Sequence, residues 1–237
     1  MQVQGTSALV TGASRGLGRA LAVELAAAGA RVVLVARESA DLHAAVAAAR
    51  ATGGDAHALA ADIGDKQAIH AIAGAAAALV GPIDLLVHNA SALGPTPLKL
   101  LLDTECEDFE RVLQVNLLGP FRLSKVIGGG MALRGRGTIV HISSDAATNA
   151  YPRWGAYGVS KAALDHLGRS FAAELGELGV RTLIVDPGEM DTMMHADAMP
   201  EADRATLAKP ADVAKKLVEL VFERRFENGA RVSLGAS

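Results

Sequence analysis

Apolar runs typical of β-strands alternate with amphipathic, alanine-rich stretches along the whole chain, and this alternation limits the fold more than any other feature. It predicts parallel strands whose two faces are both covered by helices. The strands are predicted at residues 8–11, 31–35, 56–60, 85–88, 138–142, 182–185 and near Val232. The expected fold class is therefore α/β, with a doubly wound parallel sheet and helices on both faces.

Helical spacing of apolar residues marks the segments between these strands. Leu17, Leu21 and Leu25 recur every four residues, and residues 211–222 show the same periodicity. Residues 104–107 read Thr-Glu-Cys-Glu, the Thr-x-x-Glu form of a capping box. A helix is therefore predicted to begin there, with Cys106 in its first turn.

Length and composition favour one large domain. The chain has 237 residues, of which 50% are hydrophobic, and shows no linker, internal repeat or low-complexity tract. We expect a single domain over residues 1–237 that carries both the cofactor site and the substrate site.

Charge and cysteine content exclude several classes of partner. The formal net charge of -3 without a Lys/Arg run argues against nucleic acid and anionic membranes as partners. No apolar run is long enough to span a bilayer, and the N-terminus has no signal-peptide pattern. The single cysteine excludes an intrachain disulfide and suits a reducing compartment, so a cytoplasmic location is expected.

A glycine-rich turn, TGASRGLG at residues 11–18, follows the first predicted strand and opens the first helix. Its glycines, Gly12, Gly16 and Gly18, let the backbone turn sharply and approach a pyrophosphate, whose charge a helix N-terminus stabilises. Ser14, Arg15 and Leu17 lie in the same turn. The placement predicts a dinucleotide site, although the spacing Gly-x-x-x-Gly-x-Gly differs from Gly-x-Gly-x-x-Gly. The alternative is a glycine-rich turn without a ligand.

Tyr157 and Lys161 stand four residues apart in one predicted helix, so both side chains project from the same face. A positive charge beside a phenol favours the phenolate and lowers the tyrosine pKa. Such a pair can transfer protons. An isolated Tyr-x-x-x-Lys could also be a chance surface pair.

Six motifs in register resemble the short-chain dehydrogenase/reductase family over essentially the full chain. They are TGASRGLG at 11–18, HNAS at 88–91, Asn116 in VNLLGPF, Ser143 with Ser144, YGVSK at 157–161, and DPGEMDT at 186–192. The resemblance implies a Rossmann fold, a bound nicotinamide dinucleotide and hydride transfer at a carbonyl or alcohol carbon.

The resemblance also implies a role for each catalytic candidate. Tyr157 would be the general acid in reduction, or the base in oxidation, while Lys161 would lower its pKa and bind the nicotinamide ribose. Ser144 would orient the substrate oxygen through a hydroxyl that can donate or accept. Asn116 would hold a water that links Lys161 to solvent. Taken alone, Ser144 could be a turn residue and Asn116 a cap or kink residue.

Two arginines bear on the choice of cofactor. The second predicted strand runs into Ala36 and Arg37 without an acidic residue at its end, and Arg15 lies in the glycine turn. A guanidinium can hold the 2′-phosphate of NADP through two hydrogen bonds. We therefore expect NADP(H) to be preferred over NAD(H). Two solvated surface arginines are the alternative.

Further cofactor contacts follow from the resemblance. Asp62 and Ile63 match the adenine-binding position, Asn89 and Ala90 line the cofactor, and Pro187, Gly188 and Thr192 wrap the nicotinamide end. The HNAS segment departs from the family's Asn-Asn-Ala-Gly at His88 and Ser91. For His88 we expect a hydrogen-bonded strand-end residue rather than a catalytic one. The histidines show no metal-ligand spacing, so no metal is predicted.

The leading hypothesis is an NADP(H)-dependent oxidoreductase, a carbonyl reductase that is reversible as an alcohol dehydrogenase. The alternatives are a non-catalytic dinucleotide-binding regulatory or scaffold protein, and an epimerase or dehydratase that embeds the hydride step.

Met190, Met193, Met194 and Met199 cluster after the nicotinamide segment, as a substrate lid or as helix packing. They favour a small or apolar carbonyl substrate. The family resemblance suggests a homodimer or homotetramer, with the helix that carries Ala162, Ala163, Leu167 and Phe171 as one interface. The apolar face of this helix could equally be internal core.

Overall fold

In the computed structural model, which describes residues 2–37, 39–222 and 226–235, seven strands form one parallel sheet. The strand order is β3-β2-β1-β4-β5-β6-β7. The strands are β1 (Ser7–Thr11), β2 (Arg31–Ala36), β3 (Asp55–Ala60), β4 (Leu85–His88), β5 (Gly137–Ile142), β6 (Val180–Asp186) and β7 (Arg231–Ser233). All seven predicted strands are confirmed, with ends that differ by at most two residues.

Eight α-helices connect the strands within the described residues and cover both faces of the sheet. They are α1 (Gly16–Ala27), α2 (Ala40–Ala51), α3 (Ile69–Val80), α4 (Cys106–Leu113), α5 (Gly119–Leu133), α6 (Gly155–Leu175), α7 (Met193–Ala198) and α8 (Pro210–Phe222). Helices α1, α2 and α8 pack over one face, and α3 and α5 pack over the other. The doubly wound α/β fold is confirmed.

The inner strands are almost wholly buried, and β2 and β4 are nearly continuous apolar runs, because helices cover both faces of the sheet there. In β2, Val32, Val33, Leu34 and Val35 have no exposed surface, and their side chains alternate between the two cores. Leu17, Leu21 and Leu25 of α1 are buried against the sheet, as their spacing predicts. The alternation in the sequence therefore has a direct cause in two-sided burial.

The predicted capping box at the start of α4 is wrong. Helix α4 begins at Cys106, and the residue before it, Glu105, makes no side-chain cap. The Thr104 hydroxyl donates instead to the carbonyl oxygen of Leu100 at 2.9 Å. A short 3₁₀ helix at Leu101–Asp103 ends against Thr104, so this hydroxyl completes that turn rather than opening α4. Cys106 does lie in the first turn and is exposed.

The strand order reverses direction along the chain between β1 and β4, which are neighbours in the sheet. At such a switch point the carboxyl ends of the strands leave a crevice, the usual ligand site of open α/β sheets. A cleft of about 1870 Å³ opens there. In the described part of the chain, none of the helices combines the length and apolar character needed to cross a membrane.

Candidate active site

Most of the site residues predicted from the sequence line this cleft. Apart from Gly18 and Asn116, all of them border it, including the glycine turn, Asp62, Asn89, Ser144, Tyr157, Lys161 and the 187–192 segment. Gly18 and Asn116 are buried behind its wall. Residues 180 positions apart in the sequence thus meet at one edge of the sheet.

The glycine turn is closely packed against the loop after β4. Gly12 has a φ of 64°, and a Cβ atom there would lie 2.6 Å from the Cα atom of Ala90. A Cβ atom at Gly18 would overlap the Asn89 side-chain amide and the Gly12 carbonyl oxygen. These glycines therefore allow two loops to approach, in addition to leaving the turn open.

Thr11 and Asn89 hold these two loops together. The Thr11 hydroxyl accepts hydrogen bonds from the backbone N–H groups of Asn89 at 3.0 Å and Ala90 at 3.1 Å, and donates to Val87 O at 3.1 Å. The Asn89 amide donates to the carbonyl oxygens of Thr11 at 2.9 Å and Gly12 at 3.1 Å. Thr11 is not among the predicted site residues. A hydroxyl at the end of an otherwise apolar strand was the signal that could have indicated one.

Helix α1 presents its N-terminus to the cleft. Arg15, which precedes the helix, is extended and its side chain does not cap it. The N–H groups of the first turn remain available for an anion. Arg15 is exposed, and one of its guanidinium nitrogens lies 3.0 Å from the Met193 sulfur. Arg37, also exposed, borders the same end of the cleft.

An ion pair and a hydrogen bond fix the Asp62 carboxylate in place. Its carboxylate forms an ion pair with Arg111 and accepts a hydrogen bond from the Gly64 N–H at 2.8 Å. Burial raises the pKa of Asp62, but the hydrogen bonds from Arg111 and Gly64 and the charges of Arg111 and Arg37 outweigh it and lower the pKa overall. Asp62 is therefore ionised at neutral pH. Because the Arg37 charge contributes to this lowering, the Arg37 guanidinium lies near the Asp62 carboxylate.

Helix α6 carries Tyr157 and Lys161 into the interior, 8% and 2% exposed. The Lys161 ammonium nitrogen lies 5.5 Å from the centroid of the Tyr157 ring and donates to the carbonyl oxygen of Ile142 at 2.8 Å. Trp154 packs edge-on against the same ring, with centroids 5.7 Å apart. Ser144 and Ser91 border the same cleft and act to lower the pKa of the Tyr157 hydroxyl.

The pKa of Tyr157 differs from the expectation. The sequence predicts that Lys161 lowers it, whereas burial raises the pKa of Tyr157 to about 12, with the contacts from Ser144 and Ser91 lowering it only in part. The ammonium points at the Ile142 carbonyl rather than the phenol oxygen, and the phenol is removed from water. Burial also lowers the pKa of Lys161, to about 8. At neutral pH the tyrosine is neutral and the lysine is largely cationic.

Ser144 lies at the end of β5, where it caps a short 3₁₀ helix at Asp145–Ala147. Its hydroxyl donates to the Asp145 carboxylate at 3.0 Å and accepts from the Ala146 N–H at 3.2 Å. The Tyr151 hydroxyl donates to the other Asp145 oxygen at 2.8 Å. Asp145 thus fixes the orientation of two hydroxyls in the cleft. This carboxylate is not among the predicted site residues, although it directly follows Ser144.

Asn116 lies in a π-helical turn, Gln114–Leu118, between α4 and α5. Its side-chain oxygen accepts from the Ala92 N–H at 2.7 Å, and its amide donates to Ala92 O and to the Ser160 hydroxyl, both at 2.9 Å. Ser160 in turn donates to the carbonyl oxygen of Tyr157. The Asn116 side chain therefore joins the loop after β4 to the helix that carries Tyr157. Its predicted role in a water relay stays a prediction.

The 187–192 segment closes the opposite side of the cleft. Gly188 has a φ of 73°, and a Cβ atom there would lie 2.7 Å from the Cα atom of Gly235. The Thr192 hydroxyl caps α7 by accepting from the His195 N–H at 3.2 Å. A Cβ atom at Gly16 would lie 3.4 Å from the Thr192 methyl group, so this threonine stands beside the glycine turn. All four clustered methionines border the cleft, and Met193 is 58% exposed.

His88 is a hydrogen-bonded strand-end residue, as predicted. Its Nε2 atom lies 2.7 Å from the Ser124 hydroxyl, and its ring stacks on His141 of β5 with centroids 5.0 Å apart. Burial lowers the pKa of both histidines, that of His141 to about 3. Both are neutral at physiological pH. Among the described residues, no group of three or more His, Cys, Asp or Glu side chains could hold a metal ion.

The sheet order, the glycine turn at its switch point and the buried Tyr-Lys pair define a dinucleotide-binding oxidoreductase class. Residues 6–203 match the family described as short chain dehydrogenase, and the chain belongs to that family. It is 35% identical over 221 residues to carbonyl reductase [NADPH] 2 of Sus scrofa, covering 93% of this chain and 86% of the pig protein.

Solved structures of the same family superpose closely. A 7 alpha-hydroxysteroid dehydrogenase complexed with NADH and 7-oxo glycochenodeoxycholic acid shares 30% identity with a TM-score of 0.89, covering 98% of this chain and 94% of that chain. A short chain dehydrogenase from Burkholderia cenocepacia J2315 in complex with NADP shares 32% identity with a TM-score of 0.87, covering 98% and 97%.

Proposed function

We propose that the protein is an NADP(H)-dependent carbonyl reductase, reversible as an alcohol dehydrogenase, in which Tyr157 is the general acid. The observation that carries this proposal is the buried Tyr157 phenol with the Lys161 ammonium beside its ring, on a cleft that Ser144 also borders. A proton donor, a hydroxyl for the substrate oxygen and a fixed cation thus meet at one point of the cleft.

The residues present fit a nicotinamide dinucleotide. Gly12 and Gly16 leave the backbone at the α1 N-terminus without side chains, and the first turn of α1 has no side-chain cap. This is a suitable surface for a pyrophosphate. Asp62 can receive the adenine amino group, and Thr192 lies on the far side of the same turn. The cleft between them continues to Tyr157.

In reduction, the bound dinucleotide supplies a hydride to the carbonyl carbon of the substrate. Tyr157 is neutral because burial raises its pKa to about 12, so it carries the proton that the carbonyl oxygen needs. The Ser144 hydroxyl, whose single hydrogen is donated to Asp145 in this structure, would turn to the same oxygen and align it with the phenol. Lys161, charged and close to the ring, stabilises the phenolate that remains. Proton transfer through Tyr157 in the opposite direction gives the oxidation.

The preference for NADP(H) rests on two guanidinium groups. Arg15 and Arg37 are both exposed at the adenosine end of the cleft, and the described residues at the end of β2 include no acid. Two arginines suit a 2′-phosphate, whereas NAD sites use a carboxylate for the ribose hydroxyls. Glu38, the next residue, lies outside the described residues. The pig relative named for NADPH supports this preference, while the neighbour complexed with NADH shows that the fold also accepts NAD.

The whole chain would act as one domain, in the cytoplasm and as a homodimer or homotetramer. Residues 162–171 of α6 support the interface. Ala162 is exposed and Phe171 is half-buried, stacked on the 42% exposed Phe121 of α5 with ring centroids 6.5 Å apart. An apolar face on two adjacent helices suits a second copy of the chain.

The substrate would be a small or apolar carbonyl compound, because exposed methionines border the entrance of the cleft.

The test is consumption of NADPH, and separately of NADH, by the purified protein with a panel of aldehydes, ketones, diketones and 3-oxoacyl thioesters. Turnover that is faster with NADPH than with NADH supports the proposal. NADPH binding without turnover of any carbonyl compound would favour the second candidate, a dinucleotide-binding regulatory or scaffold protein. The intact Tyr157, Lys161 and Ser144 cluster is the observation against that candidate.

A further inference from the structure

The Arg231 guanidinium, which projects from β7, joins three segments of the candidate site. Its Nε atom donates to the Asp165 carboxylate at 3.0 Å, and its Nη2 atom donates to the Ser144 carbonyl oxygen at 2.8 Å and to the Asp186 carboxylate at 3.1 Å. Both carboxylates are buried, and Arg231 is half-buried behind the wall of the cleft. Arg231 therefore acts on the site through these three partners rather than by touching a bound molecule.

The contact with Asp186 extends to the segment proposed for the nicotinamide. Asp186 ends β6, and its other carboxylate oxygen accepts a hydrogen bond from the Gly188 N–H at 3.1 Å. The Asp186 carboxylate thus fixes the turn that begins this segment. Because one Nη2 atom holds both Asp186 and the Ser144 carbonyl oxygen, Arg231 links the serine proposed for the substrate oxygen to the turn proposed for the nicotinamide.

The contact with Asp165 anchors the guanidinium to α6. Asp165 lies one turn after Lys161 and two turns after Tyr157, on the same face of the helix. Buried carboxylates need a compensating charge, which Arg231 supplies to Asp165 and to Asp186 together. A guanidinium has several donors in a fixed plane, whereas an ammonium is a single point of charge, so arginine suits three acceptors in fixed directions.

We propose that Arg231 is a positioning residue that sets the distance between the substrate oxygen at Ser144 and the nicotinamide at the 187–192 segment. The inference rests on the proposed function, in which Ser144 and this segment hold the two reactants. Strands β5 and β6 are joined up to the bond from the Ser143 N–H to the Val185 carbonyl oxygen at 2.7 Å, and beyond it the Arg231 guanidinium bridges the two chains. A misplacement of about 1 Å between reacting groups can slow a reaction about 100-fold.

The test compares the kinetics of Arg231→Met and Arg231→Lys with those of the wild type. Arg231→Met removes every donor, so kcat should fall about 100-fold while the dissociation constant for NADPH changes less than about threefold. Arg231→Lys keeps a positive charge between the carboxylates and should stay folded, with kcat about tenfold lower because the donors in a fixed plane are lost. In both variants the isotope effect with NADPH deuterated at the transferred position should rise, because hydride transfer then limits turnover.

Arg50→Met is the matched control. Arg50 of α2 also donates to a backbone carbonyl oxygen at 2.8 Å, that of Ala56, but it lies away from the cleft. This variant should keep the wild-type kcat and isotope effect. If both Arg231 variants unfold, Asp186→Asn takes their place, because it breaks the same link at its other end and should lower kcat in the same way.

A readout without turnover separates this inference from the proposed function. The time-resolved fluorescence anisotropy of bound NADPH reports how firmly the nicotinamide ring is held and needs no substrate. Arg231→Lys is expected to make the anisotropy decay faster, because the Gly188 turn loses its link to Ser144. A faster decay in a protein that reduces no carbonyl compound would overturn the proposed function and support the positioning role. A folded Arg231→Lys protein with the wild-type kcat and the wild-type decay would overturn the inference while leaving an active reductase intact.

Discussion

Lys161 and Tyr157 face each other inside the protein, with the ammonium nitrogen 5.5 Å from the centroid of the phenol ring. One turn of α6 separates them, so the helix fixes the distance without any loop. The ammonium is further held by the Ile142 carbonyl oxygen at 2.8 Å. The cation is therefore in place before the reaction, which is how preorganised charges stabilise a developing anion.

Replacement of Lys161 is expected to slow turnover strongly. Lys161→Met keeps an apolar side chain in the buried site but removes the charge that stabilises the phenolate. We expect kcat/KM to fall by about 100-fold or more, in the range of general acid catalysis. Lys66→Met, at an exposed position, is the matched control. Steady-state kinetics of both variants would contradict this account if Lys161→Met behaved like the control.

Removal of the two arginines at the adenosine end should affect NADPH far more than NADH. Arg15→Ala combined with Arg37→Ala deletes the charges assigned to the 2′-phosphate, and the dissociation constant for NADPH should rise about 100-fold because charge-assisted hydrogen bonds are lost. NADH binding should change little. Arg136→Ala, whose guanidinium pairs with Asp84, is the control. Equal weakening of both cofactors in a binding titration would refute the assignment.

Two glycine-to-alanine changes should have opposite effects. At Gly18 a Cβ atom would overlap the Asn89 amide and the Gly12 carbonyl oxygen, so Gly18→Ala should lower the melting temperature and weaken cofactor binding. Gly74 lies in α3 with no atom within 4 Å of an added Cβ. Gly74→Ala should stabilise the protein by about 0.5–1 kcal/mol, because alanine is the better helix former. Thermal melts with and without NADPH test both. A Gly18→Ala protein as stable as the wild type would contradict the packing described here.

The stacked histidines predict a loss of stability in acid. Burial lowers the pKa of His141 from 6.5 to about 3, so the folded protein stays neutral there while the unfolded chain binds a proton. Stability is therefore full above pH 6.5 and is lost as the pH falls toward about 3, by up to ~1.4 kcal/mol per pH unit for each histidine.

Replacement of His141 tests this linkage. His141→Leu should flatten the dependence of the free energy of unfolding on pH in that window, whatever its effect on stability at neutral pH. Denaturant unfolding at several pH values measures the slope. His166→Leu, an exposed change on α6, should keep the wild-type slope. The same slope in the wild type and in His141→Leu would show that this histidine does not carry the effect.

Sequence patterns were sufficient for the fold because both faces of the sheet are buried. β2 is apolar at nearly every position for that reason and β5 is buried at every position, so neither shows the periodicity of an amphipathic helix such as α8. The glycine turn could be placed because it directly follows β1. Capping was predicted wrongly at Thr104, since a local motif does not show that a preceding 3₁₀ turn uses the same hydroxyl.

The site was harder to predict because its remaining details arise from contacts between distant segments. Asn116 joins the loop after β4 to helix α6 through Ala92 and Ser160, and nothing local to the VNLLGPF segment indicates those contacts. Whether the pKa of Tyr157 is raised or lowered depends on how deeply α6 buries the phenol. The spacing of Tyr157 and Lys161 along the helix shows that they are close together. It does not show whether burial or the Lys161 charge has the larger effect on the pKa of Tyr157.

Exchange of the catalytic tyrosine for phenylalanine tests the central claim most directly. Tyr157→Phe removes one oxygen and leaves the ring packed against Trp154, so the fold and the NADPH dissociation constant should be preserved. With a substrate identified from the panel, kcat/KM for carbonyl reduction should fall about 1000-fold, while Tyr151→Phe keeps turnover. Activity of Tyr157→Phe close to that of the wild type would contradict the assignment of Tyr157 as the proton donor.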